Sequence, residues 1–230
     1  MYKLLFENED FVVVDKFPGV DFHKREKAFG LMETLRSDLG IECLFPVHRL
    51  DKMTSGILLI AKRKEIAAEL SKRFQNRQVE KYYIAISDQK PGKKQGLIRG
   101  DLERTRRGAW KLSRSQTNPS ITQFFSKSIG NHLRLFLLKP HTGQTHQLRV
   151  VLKSIGAPAL GDPVYYKSSV SRVDVDRGYL HAFAIKFRLN KEIHQFIKLP
   201  DTGHYFNDDA FKQEMSTFSQ PWELNWPNLK

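Results

Sequence analysis

Apolar residues recur along this chain in two rhythms, one of strands and one of helices. Phe11-Val12-Val13-Val14 is a short continuous apolar run rich in β-branched residues, which predicts a buried strand. It runs into Asp15-Lys16-Phe17-Pro18-Gly19, where Pro and Gly predict a turn. From about Leu31 to Leu39 the leucines at 31, 35 and 39 share a helical face, and Gly40 is a natural stop. Thr54-Ser55-Gly56 leads into a second buried strand, Ile57 to Ala61. Between Lys64 and Asn76, Ile66, Leu70 and Phe74 recur every four positions, which predicts an amphipathic helix with Lys64, Lys72, Arg73 and Arg77 outward. Tyr82 to Ile86, Ile121 to Phe125, Leu133 to Leu138, Tyr179 to Phe187 and Gln195 to Leu199 read as further strands. Gln147 to Ile155 reads as a helix carrying Leu148, Val151, Leu152 and Ile155 on one side. Lys90 to Asn118 is polar, basic and glycine-containing, the pattern of hairpins or loops. Many strands at hairpin-like spacing with few helices between them predict an α+β fold, a largely antiparallel mixed sheet with flanking helices and loops.

Residues 1–200 form the body of this pattern. Residues 201–230 are acidic and aromatic, ending in Trp222, Trp226 and Pro227, and are expected to be an extension packed on the body or partly mobile. The longest strictly apolar run, Ile57 to Ala61, is far short of the roughly 20 residues of a membrane-spanning helix. Glu7, Glu9 and Asp10 interrupt the N-terminal segment where a secretory leader would be apolar. Cys43 is the single cysteine, so no intrachain disulfide forms. These features lead to the expectation of a cytoplasmic protein.

Charge narrows the function further. Lys and Arg number 38 against 25 Asp and Glu, a formal +13, which favours a polyanionic partner through counterion release. The surplus is local. Lys90 to Arg114 holds nine basic residues and two acids, whereas Asp201 to Lys230 holds five acids and two lysines. A localised anion-binding face has this distribution.

Four segments carry candidate chemistry. In His48-Arg49-Leu50-Asp51-Lys52-Met53-Thr54-Ser55-Gly56 an acid, a guanidinium and an imidazole precede an apolar strand. A carboxylate in such a loop suits a nucleophile or base, although a turn cap paired with Arg49 would leave the same letters. In His141-Thr142-Gly143-Gln144-Thr145-His146-Gln147-Leu148-Arg149, two histidines lie five apart with no third ligand at zinc-like spacing, so no metal is expected. There Thr145 is expected to cap the following helix and present Arg149 one turn in, where a guanidinium can keep a carboxylate ionised. In Lys81-Tyr82-Tyr83, strand alternation puts the two tyrosines on opposite faces, so at most one lines a given pocket. The last segment, Gly161-Asp162-Pro163 with Tyr179-Leu180-His181-Ala182, reads as turn and core.

Taken in order, these pieces resemble the RluA-type pseudouridine synthases from about Phe11 to Leu199. The matching stretches are VVVDKFPGVDFH, HRLDKMTSGILLIAK, KYYIAIS, HTGQTHQLRV, GDPVYY and YLHAFAIKF. The resemblance implies an isomerase that converts uridine to pseudouridine within ribosomal or transfer RNA, using an active-site cleft across the sheet and no cofactor. It makes Asp51 the essential carboxylate, acting at the ribose either by attack on C1′ or by removal of the 2′ proton. Arg149 matches the basic residue that pairs with this carboxylate. Tyr83 matches the tyrosine that packs on the target base and assists loss of the C5 proton, and Leu148 the apolar residue on the base's other side. Arg49 corresponds to the residue that fills the space of the flipped nucleotide, which costs a few kcal/mol to extrude. His48, Thr54 and Gln144 are further substrate-side positions. Gln144 stands where the family usually has Arg, which puts one phosphate or structural contact in doubt. Since no S4-like RNA-binding module precedes the body, Arg104, Arg106 and Arg107 in the basic stretch are expected to carry more of the grip on RNA, plausibly a stem-loop bound by a monomer without a protein partner. Two other readings compete. A non-enzymatic RNA binder would have no use for Asp51, Tyr83 and Arg149 together. A hydrolase using Asp51 with His48 or His146 lacks a nucleophile elbow, a paired carboxylate and a metal site.

Overall fold

The computed structural model describes residues 1–22, 30–105, 108–167, 171 and 173–229. Its elements, in chain order, are β1 (Tyr2–Glu7), β2 (Phe11–Lys16), α1 (Leu31–Leu39), β3 (Phe45–Pro46), β4 (Ser55–Ala61), α2 (Lys64–Gln75) and β5 (Glu80–Ser87). Then come β6 (Gln95–Gly100), β7 (Leu102–Arg104), β8 (Trp110–Leu112), β9 (Ser120–Ser128), β10 (Arg134–Pro140) and α3 (Gln147–Ser154). The chain ends with β11 (Leu180–Leu189), β12 (Glu192–Ile197), α4 (His204–Asn207) and α5 (Asp209–Ser216). Its internal contacts divide it into two compact units, Met1–Val79 with His181–Leu199, and Glu80–Leu180 with Pro200–Lys230.

In the first unit the strands lie in the order β1-β2-β4-β11, with β3 beside β4 and β12 beside β11. All these pairings are antiparallel except β4 with β11, where His181 faces Ser55 and Ala182 faces Gly56 in parallel. The continuous apolar runs of β2 and β4 are explained by burial on both faces. Phe11, Val13, Ile57 and Leu59 join Ile66, Leu70, Ile185 and Phe187 in one core, while Val12, Val14, Leu58 and Ile60 are buried on the other side. Helix α2 supplies Ile66 and Leu70 as its pattern predicts. Helix α1 ends at Gly40 in the left-handed conformation. The N-terminal segment adds an edge strand, β1, that the pattern did not announce. Its residues are half exposed and a register shift between Leu4 and Phe6 breaks its alternation.

In the second unit the strand order is β5-β10-β9-β6, all antiparallel, and β7 and β8 form a separate two-stranded hairpin. The basic segment thus contains a hairpin, as its pattern predicts, and also contributes one strand, β6, to the sheet. Glycines hide it in the sequence, and one of them is required. A Cβ on Gly100 would lie 2.3 Å from the carbonyl oxygen of Ser113, where the chain folds back on itself.

Register sorts the side chains of this sheet. Tyr82, Phe125, Lys127 and Lys139 point to one face, and Tyr83, Thr122, Phe124 and Leu138 to the other. Residues 201–230 cover the first face. Trp226 packs on Phe125 and Tyr82 at ring separations of 4.8 and 5.8 Å. Lys139 lies over both the Tyr82 and Trp226 rings. The Gln123 amide donates to the carbonyl of Pro227, and Arg99 donates to that of Leu229 at 2.8 Å. Helix α3 belongs to the opposite face, where the Gln147 amide reaches Thr122 Oγ1 at 3.0 Å. No helix among the described residues is long and apolar enough to cross a membrane.

Candidate active site

The signature loop of the first unit is framed through its main chain. The amide of Thr54 donates to the carbonyl of Asp51 at 3.0 Å, closing a turn over residues 51–54. The carbonyl of Lys52 accepts from the Gly19 amide at 2.8 Å and from Lys16 Nζ at 3.2 Å. Lys16 is fully buried and also donates to the carbonyls of Phe17 and Val20, both at 3.0 Å. One ammonium therefore ties the Pro-Gly turn after β2 to the loop that carries Asp51. This gives the Asp-Lys-Phe-Pro-Gly segment a purpose: it is the buttress of the signature loop.

Ahead of Asp51, His48 stacks on Phe74 of α2 at 4.9 Å, and its Nε2 accepts from the Leu59 amide at 2.9 Å. An accepting Nε2 carries no proton, so in a neutral ring the proton is on Nδ1. Leu50 and Met53 point inward, whereas Asp51 is half-buried and Arg49 exposed. The anchors of the loop are thus His48, Leu50, Met53 and Thr54, and the residues it presents are Arg49 and Asp51.

Behind the loop, Gly56 has φ +106° and no room for a side chain, since a Cβ there would lie 2.3 Å from the carbonyl oxygen of Ala182. Next to it, Ser55 Oγ lies 2.7 Å from His181 Nδ1, and His181 Nε2 lies 2.8 Å from the carbonyl of Lys198. The carbonyl can only accept, so Nε2 bears the ring proton and Ser55 donates to Nδ1. His181 is a core connector, as the sequence reading of Tyr179 to Ala182 expects.

In the second unit Arg149 is 4 % exposed, and a carboxylate holds it in a fork. Its Nε lies 2.7 Å from Asp162 Oδ2 and its Nη2 2.8 Å from Oδ1. Asp162 is likewise buried, and its Oδ1 also accepts from the amides of Val164 and Tyr165 at 2.8 and 3.0 Å. A bidentate pair with its remaining acceptor capacity used is the condition under which a buried ion pair is tolerated. Sequence reading took Asp162 for a turn residue; the structure makes it the partner that orients Arg149. A guanidinium has five N–H donors, so this fork does not exhaust the side chain. The signal that marks Asp162 is the carboxylate itself, in a Gly-Asp-Pro turn whose neighbours have no need of a charge.

Thr145 does not cap α3. The capping position is His146, in the left-handed conformation with φ 57° and no side-chain bond to the helix. The entry is secured instead by Gln147, one residue later. Its Oε1 accepts from Thr142 Oγ1 at 2.9 Å and from the Gln144 amide at 3.0 Å, and its amide group reaches into β9. The shift arises because residues 142–147 fold as a compact turn, so the helix begins with Gln147. Leu148 follows, buried. The Gln144 side chain donates to the carbonyl of Asn118 at 2.9 Å, a structural contact. His141 and His146 have separate partners, Gln123 Oε1 at 2.7 Å and Tyr165 Oη at 3.0 Å. Among the described residues no cluster of three or more His, Cys, Asp or Glu could hold a metal ion.

The two tyrosines of β5 divide as alternation requires. Tyr82 is fully buried under residues 201–230 and donates to Glu80, with its hydroxyl pKa raised by burial and by that carboxylate. Tyr83 is half-buried on the opposite face. Lys81 shares that face and is 8 % exposed, and burial pushes its pKa down to about 8. Arg104 is exposed on β7. Arg106 and Arg107 lie outside the described residues.

Comparison with known proteins now bears on this geometry. The family described as RNA pseudouridylate synthase matches residues 10–154. An RNA pseudouridine synthase of Haemophilus influenzae, itself uncharacterized, is 42% identical over 96% of this chain and 97% of its own length. The tRNA pseudouridine synthase C of the same organism is 31% identical over 97% and 99%. Among solved structures, human RNA pseudouridylate synthase domain containing 1 superposes with a TM-score of 0.73 at 28% identity, covering 87% of this chain and 84% of that one. The mixed, mainly antiparallel sheets and the signature loop thus define an RNA-modifying isomerase. The chain belongs to the RNA pseudouridylate synthase family, as its resemblance to the RluA-type enzymes implied.

Proposed function

We propose that this enzyme isomerises specific uridines in ribosomal or transfer RNA with Asp51 as the carboxylate that acts on the ribose. The observation that carries this reading is the framing of the signature loop. Lys16, Gly19 and His48 fix its backbone and leave Asp51 half-buried rather than sealed in the core. In the reaction the N1–C1′ bond breaks, the uracil turns, a C5–C1′ bond forms, and the C5 proton is lost as N1 regains one. Atoms and electrons balance, so the reaction consumes no redox partner or nucleotide. Asp51 has to be ionised for attack at C1′ and for removal of the 2′ proton alike, and Arg149 is the cation assigned to keep it so.

Tyr83 and Leu148 are assigned to the two sides of the uracil, so that the base turns without leaving. Arg49 is assigned to the space of the flipped nucleotide, where a planar guanidinium recovers part of the unstacking cost. His48 and Thr54 act by holding the loop, and Gln144 by holding the turn before α3. Arg104, Arg106 and Arg107 are assigned to the RNA backbone. The substrate on this reading is a stem-loop met by a monomer in the cytoplasm.

The test is incubation with RNA lacking the modification, followed by carbodiimide adduct formation and mapping of primer-extension stops. Mass alone would miss the product, which is an isomer. The wild type should produce new stops and Asp51→Asn none, with RNA affinity within about threefold of wild type. Turnover by Asp51→Asn would overturn the assignment.

A further inference from the structure

Tyr165, buried in the turn that follows Asp162, joins that turn to two parts of the second unit distant in sequence, the β7–β8 hairpin and the start of α3. Its hydroxyl oxygen accepts from the main-chain amide of Trp110 at 2.9 Å, at the end of the β7–β8 hairpin next to its connecting loop. The same oxygen lies 3.0 Å from Nδ1 of His146, the residue at the start of α3, in a hydrogen bond whose direction follows the histidine tautomer. Its ring lies against the guanidinium of Arg149, with Cζ 5.1 Å from the ring centroid. Its own amide donates to Asp162 Oδ1, the oxygen that also receives Arg149 Nη2.

Arg104 and Lys111 are exposed, and Arg104 sits directly opposite Trp110 in the β7–β8 register. The tyrosine hydroxyl is thus a fixed point between a basic arm and a buried guanidinium. Nothing in ring packing alone needs that hydroxyl. A phenylalanine would keep the stacking on Arg149 and lose both polar bonds.

We propose that Tyr165 is a positioning residue that anchors the basic β7–β8 hairpin to the Arg149 side chain, so that RNA gripped by the hairpin is held in register with the arginine. The inference rests on the reading above, in which the hairpin binds RNA and Arg149 serves Asp51. Its physical content is separable from that reading. The hydroxyl governs where the hairpin sits, and the ring governs how the guanidinium is held.

Two measurements on Tyr165→Phe test it. Hydrogen exchange of the Trp110 amide should accelerate about fivefold or more, the worth of roughly one net hydrogen bond. The Thr105 amide, which bonds to Ala109 within the hairpin, should not change. In turnover on RNA, the same variant should raise KM about fivefold with a much smaller change in kcat, whereas Tyr165→Leu, which also loses the ring over Arg149, should lower kcat as well. The KM effects of Tyr165→Phe and Arg104→Ser should be less than multiplicative when combined, because both act through one hairpin. Unchanged exchange at Trp110, a kcat loss without a KM change in Tyr165→Phe, or fully multiplicative effects would each overturn the proposal. A wild-type protein that leaves RNA unmodified would overturn the functional reading instead, and the exchange result would still decide the anchor.

Discussion

Asp51 and Arg149 are held in opposite ways. Asp51 sits in a loop framed through main-chain atoms: the Thr54 amide on its carbonyl, Gly19 and Lys16 on the next carbonyl, and His48 on the amide of Leu59. Arg149 sits on a helix and is held through its own side chain, by the Asp162 fork and the Tyr165 ring. A frame of backbone bonds tolerates changes in the side chain that it presents. A buried charge network does not, because removing one member strands the other in a medium that cannot solvate it. One region thus presents a replaceable side chain on a rigid backbone frame, while in the other the side chain is itself part of the scaffold.

The sharpest way to break this comparison is to replace each residue and measure stability by chemical denaturation. Arg149→Met leaves the Asp162 carboxylate buried without its cation and should cost about 3–5 kcal/mol. Asp51→Asn should cost about 1 kcal/mol or less while abolishing turnover. Equal losses would mean that Asp51 is as deeply built into its unit as Arg149. A somewhat smaller effect is expected where the backbone frame itself is attacked. Gly56→Ala places a Cβ against the Ala182 carbonyl at positive φ and should cost roughly 2–4 kcal/mol. Activity should fall only as far as the folded fraction does if the loop recovers its shape. A specific activity that falls further, per folded molecule, would show that the frame also sets the aim of Asp51.

A further effect, spread over a range of pH, concerns charge in the second unit. Lys81 has a pKa lowered by burial from 10.5 to about 8. Above pH 8 the unfolded chain still binds the proton that the folded chain has released, so stability should rise from about pH 8 to 10.5. At roughly 1.4 kcal/mol per pKa unit the rise is at most about 3–4 kcal/mol. It should shrink in Lys81→Met, as seen in denaturation midpoints across that pH range. An identical pH profile in the variant would remove Lys81 as its source.

How much of this was legible beforehand differs between the two regions for the same physical reason. Helices α1 and α2 and strands β2, β4, β5, β9 and β10 follow from local rhythm, because apolar spacing is a property of neighbouring residues. The segment that carries Asp51 was legible as a motif because its residues are contiguous. Tyr82 and Tyr83 were separable by strand alternation alone, though which of them lies under Trp226 was not. The partner of Arg149 was hidden, since Asp162 is thirteen residues away in a turn that any Asp-Pro pair would make. The cap of α3 was misassigned to Thr145 because a local rule outbid the turn that Gln147 closes with Thr142 and Gln144. Strands β1 and β6 escaped because edge exposure and glycines erased their alternation.

The sequence by itself determined the family, the α+β class and the basic character of residues 90–114. Each is written in adjacent letters or in composition. Tertiary structure decided which charges are neutralised inside the protein and by what. It gave Lys16 to a carbonyl of the signature loop, Asp162 to Arg149, and the hydroxyl of Tyr165 to the basic hairpin. Those pairings come from the cost of leaving a buried polar group unsatisfied, and that cost is set by what folding brings close rather than by what the chain places next in line.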